Sequence, residues 1–156
     1  MKFKLLVVGK TSDKEIQMKI LDFYKRLKKY INFEIIVVPS SKNKSSDNIT
    51  TLRKEGISIL KKIKKNEIVI LLDEKGTNYS SLQFAKFIEN KLLQKVKNVV
   101  FVIGGAYGFD KEVYRKSQYQ LSLSKMTFSH QMVRLFFTEQ VYRAFTIINN
   151  HPYHNE

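Results

Sequence analysis

A chain of 156 residues, 43% hydrophobic, with two prolines and no cysteine, is long enough to bury a core as one domain (1–156), and this composition argues against disorder. The absence of thiols excludes disulfides and thiolate metal sites and fits a reducing cytoplasm, and no apolar run reaches the roughly 18 residues that span a bilayer. A net charge of +14, from 28 Lys and Arg against 14 Asp and Glu, favours a polyanionic partner such as nucleic acid, although scattered lysines also serve solubility.

Lys2–Val8 reads as a first strand; its short apolar run lacks the small-residue cleavage pattern of a signal peptide. Ser12 with Glu15 predicts a capping box that opens a helix carrying Ile16, Ile20, Phe23, Tyr24 and Leu27 on its inner face. A second strand over 33–38 stops at Pro39, and a polar loop over 40–46, with Lys42 and Lys44, leads into a helix over 47–65. The unbroken run Ile68-Val69-Ile70-Leu71-Leu72 predicts a strand (67–72) buried on both faces, followed by a turn over 73–78 that contains Gly76. Ser80 and Gln83 form a second predicted capping box, for a helix near 81–95. Asn98–Ile103 is a fourth strand, Gly104–Gly108 a glycine loop, 110–116 a short helix, 120–123 a fifth strand, and 130–149 a long last helix.

Strands alternating with helices give the α/β class: a mostly parallel sheet with helices on both faces. Ligands of such sheets bind beyond the carboxyl ends of the strands, so the loops at 73–78, 104–108 and 124–129 define one candidate pocket. The last helix is apolar on two sides, Met132, Leu135, Phe136, Tyr142 and Phe145 on one and Val133, Phe137, Val141, Ala144 and Ile148 on the other. A sheet covers only one side, so the second is expected to bind a second copy of the chain.

Gly104-Gly105-x-x-Gly108 lacks the G-x-G-x-x-G spacing of dinucleotide sites and is explained equally by a tight turn. His130 and His151-x-x-His154 have three readings. Metal binding is disfavoured because Pro152 keeps the pair off one helical face; hydrogen bonding to a base and plain terminal packing both remain open. Arg134 and Arg143, with Tyr142, Tyr153, His151 and His154, make a basic and aromatic group of the kind that stacks on an unpaired RNA base and neutralises its phosphates.

Taken together, Ile103-Gly104-Gly105-x-x-Gly108, Leu121-Ser122-Leu123-Ser124, His130-x-x-Val133-Arg134, Glu139-Gln140-x-Tyr142-Arg143-Ala144 and Asn150-His151-Pro152-Tyr153-His154 closely resemble the ribosomal large subunit methyltransferase H family of the SPOUT superfamily. The likeness runs along essentially the whole chain and includes Lys54-Glu55-Gly56 and Leu72-Asp73-x-x-Gly76. It implies a C-terminal trefoil knot, a homodimer, and methyl transfer from S-adenosylmethionine to N3 of a pseudouridine in helix 69 of 23S rRNA on the assembled ribosome. It places Leu72, Gly105, Ser124, Lys125, Met126, Thr127, Phe128 and Ser129 around the cofactor, with no metal. It sets His130, Glu139, Arg143, Tyr153 and His154 toward the target base, with the tail serving the partner's pocket. His130 or Glu139 would accept the N3 proton and Arg143 would stabilise the anion. The family commonly carries a basic residue after the final histidine, where this chain has Asn155. The rival readings are a non-catalytic RNA-binding module, which leaves the two pocket loops without a purpose, and a SPOUT enzyme acting on tRNA.

Overall fold

The computed structural model describes residues 1–41, 47–94 and 97–154. Five strands, β1 (Lys2–Val8), β2 (Asn32–Val38), β3 (Ile68–Asn78), β4 (Asn98–Ile103) and β5 (Tyr119–Ser122), form one sheet in the order β2-β1-β4-β3-β5. Every neighbouring pair is parallel. The helices are α1 (Lys14–Leu27), α2 (Asn48–Leu60), α3 (Ser81–Leu93), α4 (Lys111–Lys116) and α5 (His130–Ile148). Alternation along the strands builds two cores. Phe3, Leu5 and Val7 of β1 face Leu27, Ile88, Phe137 and Val141 of α1, α3 and α5. Leu6 and Val8 face Ile59 of α2 and Val113 of α4. The expected α/β sheet with helices on both faces is what the chain forms.

Local differences from the sequence reading have identifiable causes. α1 is capped by Asp13, whose side chain accepts from the Ile16 amide, and not by Ser12. Ser12 is held elsewhere: its hydroxyl accepts from Gln131 Nε2 at 2.6 Å, and the Ser12 and Asp13 amides donate to Gln131 Oε1. α2 stops at Leu60 because the Lys64 amide is taken by Glu67 Oε2 at 2.8 Å. The capping box of Ser80 and Gln83 is present in full. The Lys42–Lys44 loop lies outside the described residues, as do Lys95 and Asn155.

The predicted turn after Leu72 is instead a continuation of β3. Ile70, Leu71 and Leu72 pair with Tyr119, Gln120 and Leu121; the register then shifts, and Thr77 and Asn78 pair with Leu121 and Ser122. Asp73 Oδ1 accepts from the Lys75 amide, shaping the intervening residues, and Asn78 Nδ2 donates to the Ser122 carbonyl. A Cβ on Gly76 would lie 2.6 Å from the backbone of Gln120 and Leu121. Only glycine lets the two backbones come this close.

α5 lies between α1 and α3. α1 covers part of the face expected to be open: Tyr142 packs on Phe23 and Tyr30, and Phe145 is buried. Phe136 remains exposed beside Phe128, their rings 5.1 Å apart.

One charged pair sits inside the α2 side of the sheet. Lys4 Nζ donates to Glu67 Oε1 at 2.5 Å, and both residues are buried. Burial pushes the Glu67 carboxyl up, but the Lys4 bond, the Lys64 amide and their charges outweigh it and hold it below the usual range. Its contribution is therefore present at neutral pH and lost as pH falls through that depressed value. Lys4→Met leaves the carboxylate without its cation and is expected to cost about 3 kcal/mol at neutral pH in urea melts. The difference from the parent should shrink in acid, where Glu67 is protonated in both.

Candidate active site

The carboxyl ends of β3, β4 and β5 surround an open cavity of about 580 Å³, within the usual range for small-ligand sites. Leu72, Ile103, Leu121 and Val133 give it an apolar floor, and the 104–108 and 122–129 loops bring backbone groups to its edge. Asp73 and Glu74 add carboxylates to one wall. Thr127 Oγ1 donates to Glu74 Oε2 at 3.4 Å, linking that wall to the loop after β5.

The loop after β5 is folded by its own serines. Ser122 Oγ donates to the Ser124 carbonyl, Ser124 Oγ accepts from the Met126 amide, and Ser129 caps α5 by accepting from the Met132 amide. These bonds leave Met126 74% exposed. Of the residues expected around a cofactor, Leu72, Gly105, Ser124, Met126, Thr127, Phe128 and Ser129 all line the cavity, together with His130; Lys125 does not.

The glycine loop owes its composition to more than ligand approach. A Cβ on Gly105 would point away from open space and meet Glu55 Oε2 at 2.6 Å, and one on Gly104 would meet the Gly108 carbonyl oxygen at 2.7 Å. Gly108 has φ +83°, which favours glycine by conformation alone. Glu55, only 3% exposed, accepts from Ser40 Oγ and the Ser41 amide through Oε1, so one carboxylate ties the β2–α2 connection to the floor of the glycine loop. Its place in Lys54-Glu55-Gly56 was the only sequence signal for it.

Tyr114, on α4, was not anticipated. Its hydroxyl donates to Asp73 Oδ2 on the cavity wall. Burial, the Asp73 bond and the nearby carboxylates push this phenol far above its ordinary value, so it stays protonated and holds Asp73 in place.

The tail makes a second cluster. Arg143 donates to Glu139 Oε1 through Nε (3.0 Å) and Nη2 (2.6 Å), and Tyr153 donates to the same oxygen at 3.2 Å. The Arg143 guanidinium stands 4.7 Å over the Tyr153 ring, and Nη1 lies 3.3 Å from His154 Nδ1. Tyr142 packs edge-on against Tyr153, and Arg26 lies over Tyr142. His151 Nδ1 is 2.7 Å from the Tyr30 hydroxyl. Phe23, Arg26 and Tyr30 come from α1 and the turn after it, contacts that no local pattern announces.

Arg134 departs from its expected role. It is 1% exposed, donates to the Val8 carbonyl at 2.5 Å and to Thr11 Oγ1 at 3.0 Å, and has no place in the tail cluster. It ties α5 to the end of β1. Along α5, His130 and Arg143 are separated by roughly 20 Å at 1.5 Å per residue. Within one chain the tail cluster therefore does not reach the cavity that His130 lines. Among the described residues no group of three or more His, Cys, Asp or Glu side chains is placed to hold a metal ion.

A family model described as "Predicted SPOUT methyltransferase" matches residues 1–154. The chain belongs to this family. Family membership is also what implies the trefoil knot. Curated relatives named "Ribosomal RNA large subunit methyltransferase H" include those of Christiangramia forsetii, 48% identical over 99% of both chains, and Flavobacterium johnsoniae, 48% identical over the full length of both. The solved structure of a "probable methylase family protein" from Haemophilus influenzae Rd KW20 covers 99% of this chain and 70% of its own, at 14% identity and a TM-score of 0.56, a likeness of fold.

The Gly105–Glu55 contact gives a test of what shapes the cavity. Gly105→Ala is expected to cost about 1–3 kcal/mol by overpacking against the carboxylate. The same substitution should cost less in a Glu55→Ala background, as a double-mutant cycle by chemical denaturation would read. Additive losses would mean that Glu55 does not set the loop.

Proposed function

We propose that this chain, as one domain and as a homodimer in the cytoplasm, transfers a methyl group from S-adenosylmethionine to N3 of a pseudouridine in helix 69 of 23S rRNA on the assembled ribosome. The observation that carries this reading is the cavity, which on a member of a methyltransferase family gathers seven of the eight residues expected around the methyl donor. The relatives' names, together with a net charge of +14, favour ribosomal RNA as the acceptor. Among the described residues no helix is long and apolar enough to cross a membrane.

The chemistry of the cavity suits such a donor. An apolar floor would take a flat ring, backbone groups of the 104–108 and 122–129 loops would bond its edge, and Asp73 and Glu74, outweighing Lys75 on the same wall, would favour a ligand that carries positive charge. S-adenosylmethionine, when bound, supplies a methyl carbon activated by a sulfonium. The remaining work is alignment and exclusion of water. His130 stands at the cavity, while Arg143, Tyr142, Tyr153, His151 and His154 are assigned to the target base and its phosphates. Because that group lies at the far end of α5, the reading requires one chain's tail to meet its partner's cavity. The exposed Phe128 and Phe136, beside the cavity, are assigned to that contact.

The test is labelled methyl transfer from S-adenosylmethionine to assembled ribosomes, free large subunits and tRNA in parallel, using ribosomes from cells that lack this protein. Label confined to 23S rRNA of assembled ribosomes is the expected result; label in tRNA would overturn the substrate. Arg143→Ala is expected to reduce transfer by at least about 100-fold, the scale of losing one oxyanion-type donor, with donor affinity by calorimetry nearly unchanged. An equal loss of both would refute this division of roles.

A further inference from the structure

The proposed reaction needs the N3 proton of an imide to leave, and of the two acceptors that the resemblance names, His130 stands at the cavity and Glu139 in the tail cluster. We infer that Glu139 is the positioning residue of this cluster and not its base: its Oε1 takes three bonds from Arg143 and Tyr153, its Oε2 takes one from Gln140, and Arg143 and His154 turn donors toward the substrate. This inference rests on the proposed function in taking the target base to meet the tail.

The hydrogen bonds assign each group. Glu139 Oε1 accepts three bonds, two from Arg143 and one from Tyr153. Oε2 accepts from Gln140 Nε2 at 2.7 Å, and Gln140 Oε1 accepts in turn from Ser81 Oγ at 2.9 Å, fastening the carboxylate to α3. A proton arriving at Oε1 would have to displace Arg143. Tyr153 is the donor in its bond, and burial, followed by the Glu139 charge and bond, pushes its phenol above the ordinary value despite Arg143, so it keeps its proton. A guanidinium has no acceptor, so His154 Nδ1 must be the acceptor toward Arg143 Nη1, which leaves the ring proton on Nε2. The other charged or titratable groups packed on the cluster among the described residues are Arg26 over Tyr142, with Asp22 paired to Arg26 at 2.9 Å, Tyr30 and His151. The carboxylate among them, Asp22, is held by Arg26.

Such a cluster recognises an acceptor edge. A deprotonated imide nitrogen between two carbonyl oxygens is one; the protonated imide, with a donor at its centre, is a poorer match. In the step as inferred, the N3–H proton goes to water or to His130 at the cavity, not to Glu139, and the nitrogen lone pair forms the new N–C bond. The C–S bond breaks with its electron pair left on sulfur. Arg143 and the His154 Nε2–H hold the charge while it exists, and Glu139 holds Arg143 and Tyr153.

The decisive comparison is Glu139→Gln against Glu139→Ala in the full-length dimer, assayed by single-turnover methyl transfer across the neutral to alkaline range. Gln keeps an oxygen for Arg143, at roughly half the strength of a charge-assisted bond. It should retain the rate within about tenfold, with the parent's pH profile unchanged in shape. Glu139→Ala should fall toward the Arg143→Ala level, and the double variant should be no slower than Arg143→Ala alone. A Gln variant as inactive as Ala, with the alkaline rise flattened or moved, would make Glu139 the base and overturn the inference. A second readout needs no substrate. Long-range proton–nitrogen NMR of the free dimer should find His154 as the Nε2–H tautomer, with that preference lost in Glu139→Ala and kept in Glu139→Gln. A parent protein that methylates nothing but passes the NMR test would refute the function and leave the positioning role standing. Nδ1–H on His154 in the parent would refute the role itself.

Discussion

The cavity exists because β3 leaves its ladder with β5 and rejoins it. Up to Leu72 the strand is an ordinary buried member of a parallel sheet; beyond the register shift it pairs again through Thr77 and Asn78. The residues between continue the strand without a β5 partner, and Asp73 and Glu74 bring their carboxylates, with Lys75 beside them, to the cavity wall. Gly76 makes the return possible, since a side chain there would strike the β5 backbone. Tyr114 then secures the displaced segment by donating to Asp73, so α4 on one face of the sheet supports a wall at its edge.

A second constraint is the pairing of α1 and α5. Gln131 grips the amides that begin α1, and Tyr30, just past the end of α1, meets Tyr142, Phe145 and His151 at the far end of α5. The two helices therefore run side by side in the same direction, pinned at both ends. Arg134 adds a buried tie to Val8 and Thr11. Its Nε has no hydrogen-bond partner, a cost accepted only where a charged side chain must be held in one place. A rigid α5 fixes the distance between the cavity at its first turn and the cluster at its last.

The strands and most helix ends were legible because each rests on local pattern. The apolar runs of β1, β3 and β4 need burial on both faces, and Ser80 with Gln83 is a complete cap in sequence and in structure. What misled was also local. Ser12 with Glu15 has the spacing of a capping box, yet Asp13 is the cap, because Gln131, far along the chain, takes Ser12. Gly76 reads as a turn, and its reason is instead a backbone contact with β5. Arg134 reads as a phosphate-neutralising cation beside Arg143, but the first half of α5 is covered by the β1–α1 connection, while Arg143 lies where α5 meets the tail. In each case a distant segment decides what a local motif can only suggest. The place of the pocket was legible even though 73–78 is strand and not turn, because topology puts the ends of β4 and β5 beside the middle of β3 whatever the side chains do.

The glycine loop and the tail follow different logics of preorganisation, and their separation has a chemical use. Around the cavity, polar side chains are spent on the loops themselves: Ser122, Ser124 and Ser129 bond their own backbone, and Glu55 braces Gly105 from below. That leaves backbone groups and an acidic wall for a ligand, a surface suited to a cation. At the tail, one carboxylate gathers a guanidinium and a phenol, leaving donors and positive charge for a ligand, a surface suited to an anion. Held within one chain at contact distance, the two surfaces would neutralise each other, Asp73 and Glu74 pairing with Arg143. Placing them at opposite ends of α5 keeps the two surfaces apart and both charged.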